Sequence, residues 1–232
     1  MMCDARLFGP QLEALADVAD MQVADLTRDE TIEAMAAGAL RDAPWDRFAV
    51  AGLSMGGIVA MEMLRRAPRR LSGLALLDTN HRAEQPERRA LRVPQIERAL
   101  AGGLREVLIG EMKPLYLSPA NRDASAILDL VLAMALDLGP DVFARQSRAL
   151  RDRRDQTDTL RRAAVPTLVL CGADDRLCPP ERHREMAKLA LGAELRILPD
   201  CGHLPTLEQP NLTTDALCAW LWSERAQRSS PH

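Results

Sequence analysis

Five short, strand-like runs separated by helical patterns constrain this chain more than any other feature: 21–26 (MQVADL), 47–53 (RFAVAGL), 74–78 (LALLD), 167–171 (TLVLC) and 195–198 (LRIL). Strands that alternate with helices predict an α/β fold built on a mostly parallel sheet flanked by helices. Four of the runs are almost continuously apolar, as expected of strands covered on both faces; only MQVADL mixes polar and apolar residues. Helical patterns fill the gaps at 11–18, 31–41, 55–66, 181–191 and 212–222, each able to bury one face on the sheet.

Residues 81–162 differ in texture, with helical periodicity and no convincing strand. They are expected to form a helical cap inserted into a core made of 1–80 and 163–232. Ile127, Val131, Met134 and Leu138 form the clearest apolar stripe, and Gly139-Pro140 is a stop signal after it. The sign-alternating run from Arg151 to Asp155 reads as a solvated helix face. The polar tail from Ser223 to His232 is expected to fray.

Composition narrows the function. The chain has 232 residues, 47% apolar and 27% charged, which suits one globular domain with an insertion and excludes a disordered chain. A formal charge of -3 and 3% aromatics offer neither the basic surface nor the stacking platforms that nucleic acid needs. No apolar run approaches the ~18 residues of a membrane span, so no membrane partner is expected. Five scattered cysteines without a C-x-x-C pair suggest neither disulfides nor zinc, and the start MMCDARLFGP lacks a secretory pattern, so a cytoplasmic setting is expected.

The chemistry is concentrated in a motif. Gly52-Leu53-Ser54-Met55-Gly56 stands at the end of the 47–53 run and opens a helical pattern, the context G-x-S-x-G requires. The strand must turn abruptly so that Ser54 stands above the sheet, and small neighbours at 52 and 56 are expected for reasons of size. A serine hydroxyl is a weak nucleophile at neutral pH, so a histidine base and an acid to orient it should follow. Asp174 and Asp175 lie after the 167–171 run, and His203 after the 195–198 run. Parallel strands bring such loops to one sheet edge. Of the other histidines, His183 in a charged helix and His232 in the tail read as surface residues, and His81 is a lesser candidate for the pocket mouth.

These residues resemble the α/β-hydrolase fold superfamily, whose chain order is serine, acid, histidine. The resemblance covers nearly the whole chain. The family's G-x-x-D-x-x-x-P pattern selects Gly172, Asp175 and Pro179, and its G-H pair matches Gly202 and His203. It favours Asp175 over Asp174, with Asp78 as the outside candidate because some relatives place the acid there. It implies a serine hydrolase cleaving a small carboxylic ester, lactone or thioester through an acyl-enzyme, without metal or cofactor, on a small-molecule acyl substrate in a partly enclosed, mainly apolar pocket. Carbon–carbon bond hydrolysis, small-peptide amide hydrolysis and a non-catalytic scaffold are the alternatives. The Met55 N–H is implied as one oxyanion donor. Relatives carry a central strand before the segment that the N-terminus resembles, and its loop supplies the second donor, which by position falls on Met1 or Met2. An upstream strand is therefore expected in the gene, and 21–26 could re-pair beside 47–53 in its absence.

Overall fold

The computed structural model describes residues 1–229. Four strands form its sheet, β1 (Phe48–Leu53), β2 (Leu71–Leu77), β3 (Thr167–Gly172) and β4 (Glu194–Leu198), in spatial order β1-β2-β3-β4 and all parallel. Helices α1 (Gly9–Ala14) and α2 (Ile32–Asp42) precede them, α3 (Met55–Arg66) links β1 to β2, and α8 (Pro180–Leu189) links β3 to β4. Between β2 and β3 the chain is helical, with α4 (Pro86–Arg98), α5 (Leu104–Val107), α6 (Ser125–Arg151) and α7 (Thr157–Arg161). Helices α9 (Pro205–Glu208) and α10 (Pro210–Ser229) follow β4.

The two-residue period of a strand explains how the sheet is covered. Leu74 and Leu76 of β2 and Val169 of β3 face the cluster formed with α2, α3 and α8, through Met35, Ile58, Met61 and Met186. Ala75, Leu77, Leu168 and Leu170 face the opposite cluster, with Leu7, Leu15, Leu217 and Trp220. Every residue of β2 and β3 is buried, which is why these strands read as unbroken apolar runs. A third cluster, around Ile96, Val107, Leu132 and Phe143, holds the helical segment together. The return leg of that segment also enters the sheet's own packing, because Ala149, Leu150 and Leu160 belong to the α3 cluster.

Three expectations need correction. Residues 21–26 are not a strand: they carry no regular structure, Met21 and Val23 are exposed, and the carbonyl of Leu26 is taken by the Gln146 side chain at 3.1 Å. Nor do they re-pair beside β1, which is an edge strand among the described residues; a segment with polar residues on both faces gains too little from a half-formed ladder. The 151–155 run is not a solvated helix face, since α6 ends at Arg151 and Arg153 is buried, donating to Glu84 at 3.0 Å and to the Arg82 carbonyl at 2.9 Å. The polar tail is helical as far as Ser229, where α10 ends; His232 lies outside the described residues.

Other signals hold locally. Thr31 caps α2, its Oγ accepting the Ala34 N–H at 3.1 Å. Gly139 leaves helical geometry at φ 78°, ψ 175°, so α6 breaks where Gly-Pro signalled a stop and resumes from Pro140. No helix among the described residues is long and apolar enough to cross a membrane.

Candidate active site

The registers Leu53↔Leu77, Leu77↔Leu170 and Gly172↔Leu198 align the C-terminal ends of all four strands, so the loops after them share one edge. Ser54 occupies the turn from β1 into α3 at φ 54°, ψ -115°, a conformation side chains rarely adopt. Close packing enforces it. A Cβ at Gly52 would overlap the Gly56 carbonyl, and one at Gly57 would stand 2.7 Å from the Thr79 side chain. The size argument for Gly56 does not hold, because nothing lies within 4 Å of a Cβ there. From the end of β2, Thr79 donates its hydroxyl to the Ser54 carbonyl at 2.6 Å, while the Ser54 N–H donates to the Leu77 carbonyl at 2.9 Å. The backbone that presents Ser54 is thus held on both sides of its α-carbon.

His203 Nε2 lies 3.0 Å from Ser54 Oγ, and His203 Nδ1 lies 2.9 Å from Asp175 Oδ2. The other Asp175 oxygen accepts the N–H groups of Leu177 at 2.8 Å and Cys178 at 3.0 Å. Burial alone would raise the Asp175 carboxyl, but its electrostatic interaction with His203 and these hydrogen bonds hold it below the ordinary carboxylate value. Asp175 is therefore ionised, and Nδ1–H donates to it, which leaves the Nε2 lone pair facing the serine hydroxyl.

The structure sorts the other candidates. Asp174 makes no side-chain hydrogen bond or ion pair with His203; its N–H donates to the Cys201 carbonyl at 2.9 Å. Asp78, at φ 41° after β2, is buried, and its Oδ1 accepts the Gly172 N–H at 2.9 Å. Burial, reinforced by the Asp175 charge, pushes its carboxyl well above the usual range, so it keeps its proton beside the ionised Asp175. The Met55 N–H opens α3 and meets no acceptor among the described residues. Of the two N-terminal candidates, Met2 is removed: its N–H is committed to Gln146 Oε1 at 2.7 Å in a buried position. Met1 lines the cavity beside Ser54.

His183 is not at the surface, where the sequence put it, and His81, the lesser candidate for the pocket mouth, does not reach it. His183 is buried, because its Nε2 accepts the Thr79 N–H at 3.0 Å and its Nδ1 faces the Pro179 carbonyl at 3.3 Å, a bridge between the β2 loop and α8. Burial lowers its pKa to about 4, so the ring is neutral. His81 is buried away from the cavity lining, and its ring nitrogens meet no partner among the described residues.

Three residues absent from the sequence reading complete the site. Glu208 Oε1 accepts the N–H groups of Gly202 (2.9 Å) and Leu204 (3.2 Å), and its Oε2 accepts the Ser118 N–H (2.8 Å), tying the histidine loop to the helical segment. Tyr116, the single tyrosine of the chain, accepts the His203 N–H on its carbonyl at 2.7 Å and stacks its ring on the imidazole with centroids 6.1 Å apart. Thr79 is the buttress described above. A carboxylate within the apolar stretch after Gly202-His203 was the one sequence signal for Glu208.

Asp175, Cys178 and His203 also place three potential metal donors within 4.8 Å of one another. Asp175 Oδ2 and His203 Nδ1 already face each other there, so an ion would have to displace their hydrogen bond. Burial, with the Asp175 charge beside it, keeps the Cys178 thiol protonated.

Ser54 and His203 open into a cavity of about 660 Å³. Leu53, Ile58, Leu150 and Leu204 supply apolar lining, in keeping with the expected mainly apolar pocket, but five arginines also face it. The α6 stripe fills the interior, as a core stripe does, with Val131 and Met134 buried in the sheet cluster.

A parallel α/β sheet with a serine elbow, and a histidine and an aspartate on later loops, defines a class of protein. A model of the alpha/beta hydrolase family matches residues 3–216, and the chain belongs to that family. A protein of Klebsiella pneumoniae subsp. pneumoniae named "Putative carbamate hydrolase RutD" is 31% identical over 172 residues, covering 71% of this chain and 62% of that protein. This chain therefore spans less than two thirds of that relative's length. A thermophilic esterase from Thermogutta terrifontis, solved with malate bound, superposes with a TM-score of 0.86 at 32% identity, covering 96% of this chain and 86% of that one. The enol-lactonase of Burkholderia xenovorans LB400 shares the fold, with a TM-score of 0.80 at 23% identity, covering 95% of this chain and 87% of that one.

Proposed function

We propose that this chain is a serine hydrolase that cleaves a small carboxylic ester, lactone or thioester through an acyl-enzyme on Ser54. One observation carries the reading: the hydrogen-bonded line from Ser54 Oγ through both nitrogens of His203 to Asp175, at 3.0 and 2.9 Å. Ser54 Oγ attacks the acyl carbon while its proton passes to His203 Nε2, and the ionised Asp175 stabilises the imidazolium. The proton then goes to the leaving alkoxide or thiolate. Water enters, gives a proton to the same nitrogen, and attacks the acyl-enzyme to release the acid and regenerate Ser54.

The unmatched Met55 N–H at the start of α3, aided by the positive end of that helix, is one oxyanion donor. Met1 is the remaining candidate for the second, now that Met2 is engaged. The route calls on no metal or organic cofactor. The names of the Klebsiella and Thermogutta relatives, carbamate hydrolase and esterase, both denote hydrolysis at an acyl carbon, which supports the reaction class. A cytoplasmic setting suits the reading, since the five scattered cysteines call for no oxidising compartment.

The test is labelling by a fluorophosphonate probe together with p-nitrophenyl butyrate turnover, in the wild type, Ser54→Ala and His203→Ala. Labelling and turnover in the wild type are expected, with kcat falling on the order of 10⁴ to 10⁶ in either variant. Turnover unaffected by Ser54→Ala removes the site. Folded wild-type protein that neither labels nor turns over leaves the scaffold reading.

A further inference from the structure

The cavity wall carries charge that acyl transfer does not use. Five arginines, Arg88, Arg92, Arg153, Arg176 and Arg182, line it against two glutamates, Glu84 and Glu111, in a chain whose formal charge is -3. Both glutamates are already satisfied. Glu84 accepts from Arg92 at 2.9 Å and from Arg153 at 3.0 Å, two cations on one buried carboxylate. Glu111 is held by Arg98 and by the Gln95 amide at 2.7 Å. Arg182 shares Glu185 with Arg82.

The guanidinium groups of Arg88 and Arg176 are left without a hydrogen bond or ion pair to any described residue, and the two residues come from different elements. Arg88 is the third residue of α4, where the helix dipole disfavours a cation, so helix stability does not explain it. Arg176 lies between Asp175 and the two N–H groups that hold its carboxylate, so its backbone is fixed relative to the His203 imidazole. A concave wall with low-dielectric sides and a cationic excess concentrates anions, and two guanidinium forks match a carboxylate.

We infer that the substrate carries a carboxylate in addition to its scissile acyl group, and that Arg88 and Arg176 bind it. This rests on the hydrolase reading and specifies its substrate class. The second carboxylate belongs either to the acyl part or to the leaving group, and two matched pairs of esters separate these. Mono-p-nitrophenyl glutarate against p-nitrophenyl hexanoate places the charge on the acyl side. The hexanoyl ester of p-hydroxybenzoate, against that of methyl p-hydroxybenzoate, places it on the leaving group.

At about 20 mM salt, at least one anionic ester is expected to exceed its neutral partner roughly tenfold or more in kcat/KM, and the preference should shrink at about 0.5 M salt. Arg88→Gln with Arg176→Gln should cut the preference about tenfold, with partial recovery in the paired lysine variants. Circular dichroism establishes that each variant is folded. Equal use of charged and neutral esters overturns the inference while leaving the hydrolase reading intact, and so does a preference that survives the double substitution. If wild-type protein turns over no ester, the hydrolase reading fails by itself, and equilibrium binding to Ser54→Ala decides the carboxylate question. Monomethyl glutarate should then bind about tenfold more tightly than methyl hexanoate, or the hexanoyl ester of p-hydroxybenzoate more tightly than that of methyl p-hydroxybenzoate, and equal binding within both pairs overturns the inference.

Discussion

The two walls of the cavity are built differently. Around Ser54 and His203, main chain rests on main chain. A Cβ at Gly172 would overlap the carbonyls of Cys201 and Gly202, one at Gly202 would overlap the carbonyl of Tyr116, and Glu208 fastens three N–H groups of these segments. Across the cavity, the wall from α4 and the segment after α6 is braced by long side chains, Arg92 and Arg153 on Glu84. Backbone contacts leave Ser54 and His203 little freedom, whereas charged side chains can be exchanged without moving the fold. The first arrangement suits chemistry that demands fixed distances, and the second suits recognition.

The largest test of that contrast is at glycine. Gly202→Ala pushes the histidine loop off Tyr116, and a displacement near 1 Å at the base should lower kcat about a hundredfold or more. Gly56→Ala, with open space around its Cβ, should lose less than about tenfold. Equal losses in the two variants, read by p-nitrophenyl butyrate turnover, break the distinction.

A smaller effect is expected at the brace. Glu84→Gln leaves two arginines, 14% and 7% exposed, without their anion, and should cost about 2 to 3 kcal/mol of stability, a fall in Tm of roughly 4 to 12 °C by calorimetry. KM should rise more than kcat falls, because the reacting atoms do not rest on this wall. A dominant loss in kcat would show that the two walls are not separate in function.

The smallest effect is in pH dependence. His183, neutral with its pKa lowered from 6.5 to about 4, binds its proton in the unfolded chain first, so stability is complete above pH 6.5 and falls as pH drops toward 4. By pH 5 the loss is on the order of 2 kcal/mol, and His183→Gln should remove that slope. Urea midpoints at pH 7 and pH 5 that shift equally in wild type and variant would detach the bridge between Thr79 and α8 from the acid sensitivity of the fold.

Much of this was legible in one dimension. The periods that separate strand from helix are local, so β1, β2, β3, β4 and α3 were placed to within a few residues, and the turn at Ser54 followed from its glycines and from the strand and helix beside it. Where a signal depended on distant partners, it misled. MQVADL has the composition of a weak strand but finds no ladder. Arg153 stands in a run of alternating charge yet is drawn inward by Glu84, and His183 sits among charged residues but faces the Thr79 N–H.

The order serine, aspartate, histidine along the chain and the kinked backbone that lifts Ser54 were determined by the sequence alone, because backbone geometry and burial period are properties of neighbours. Which carboxyl keeps its proton and which arginines face the cavity unpaired were decided only by the tertiary structure, which also brought Asp175, the aspartate that the sequence pattern favoured, to the imidazole. Those outcomes depend on distances and local dielectric between groups as many as a hundred residues apart, and no local pattern encodes them.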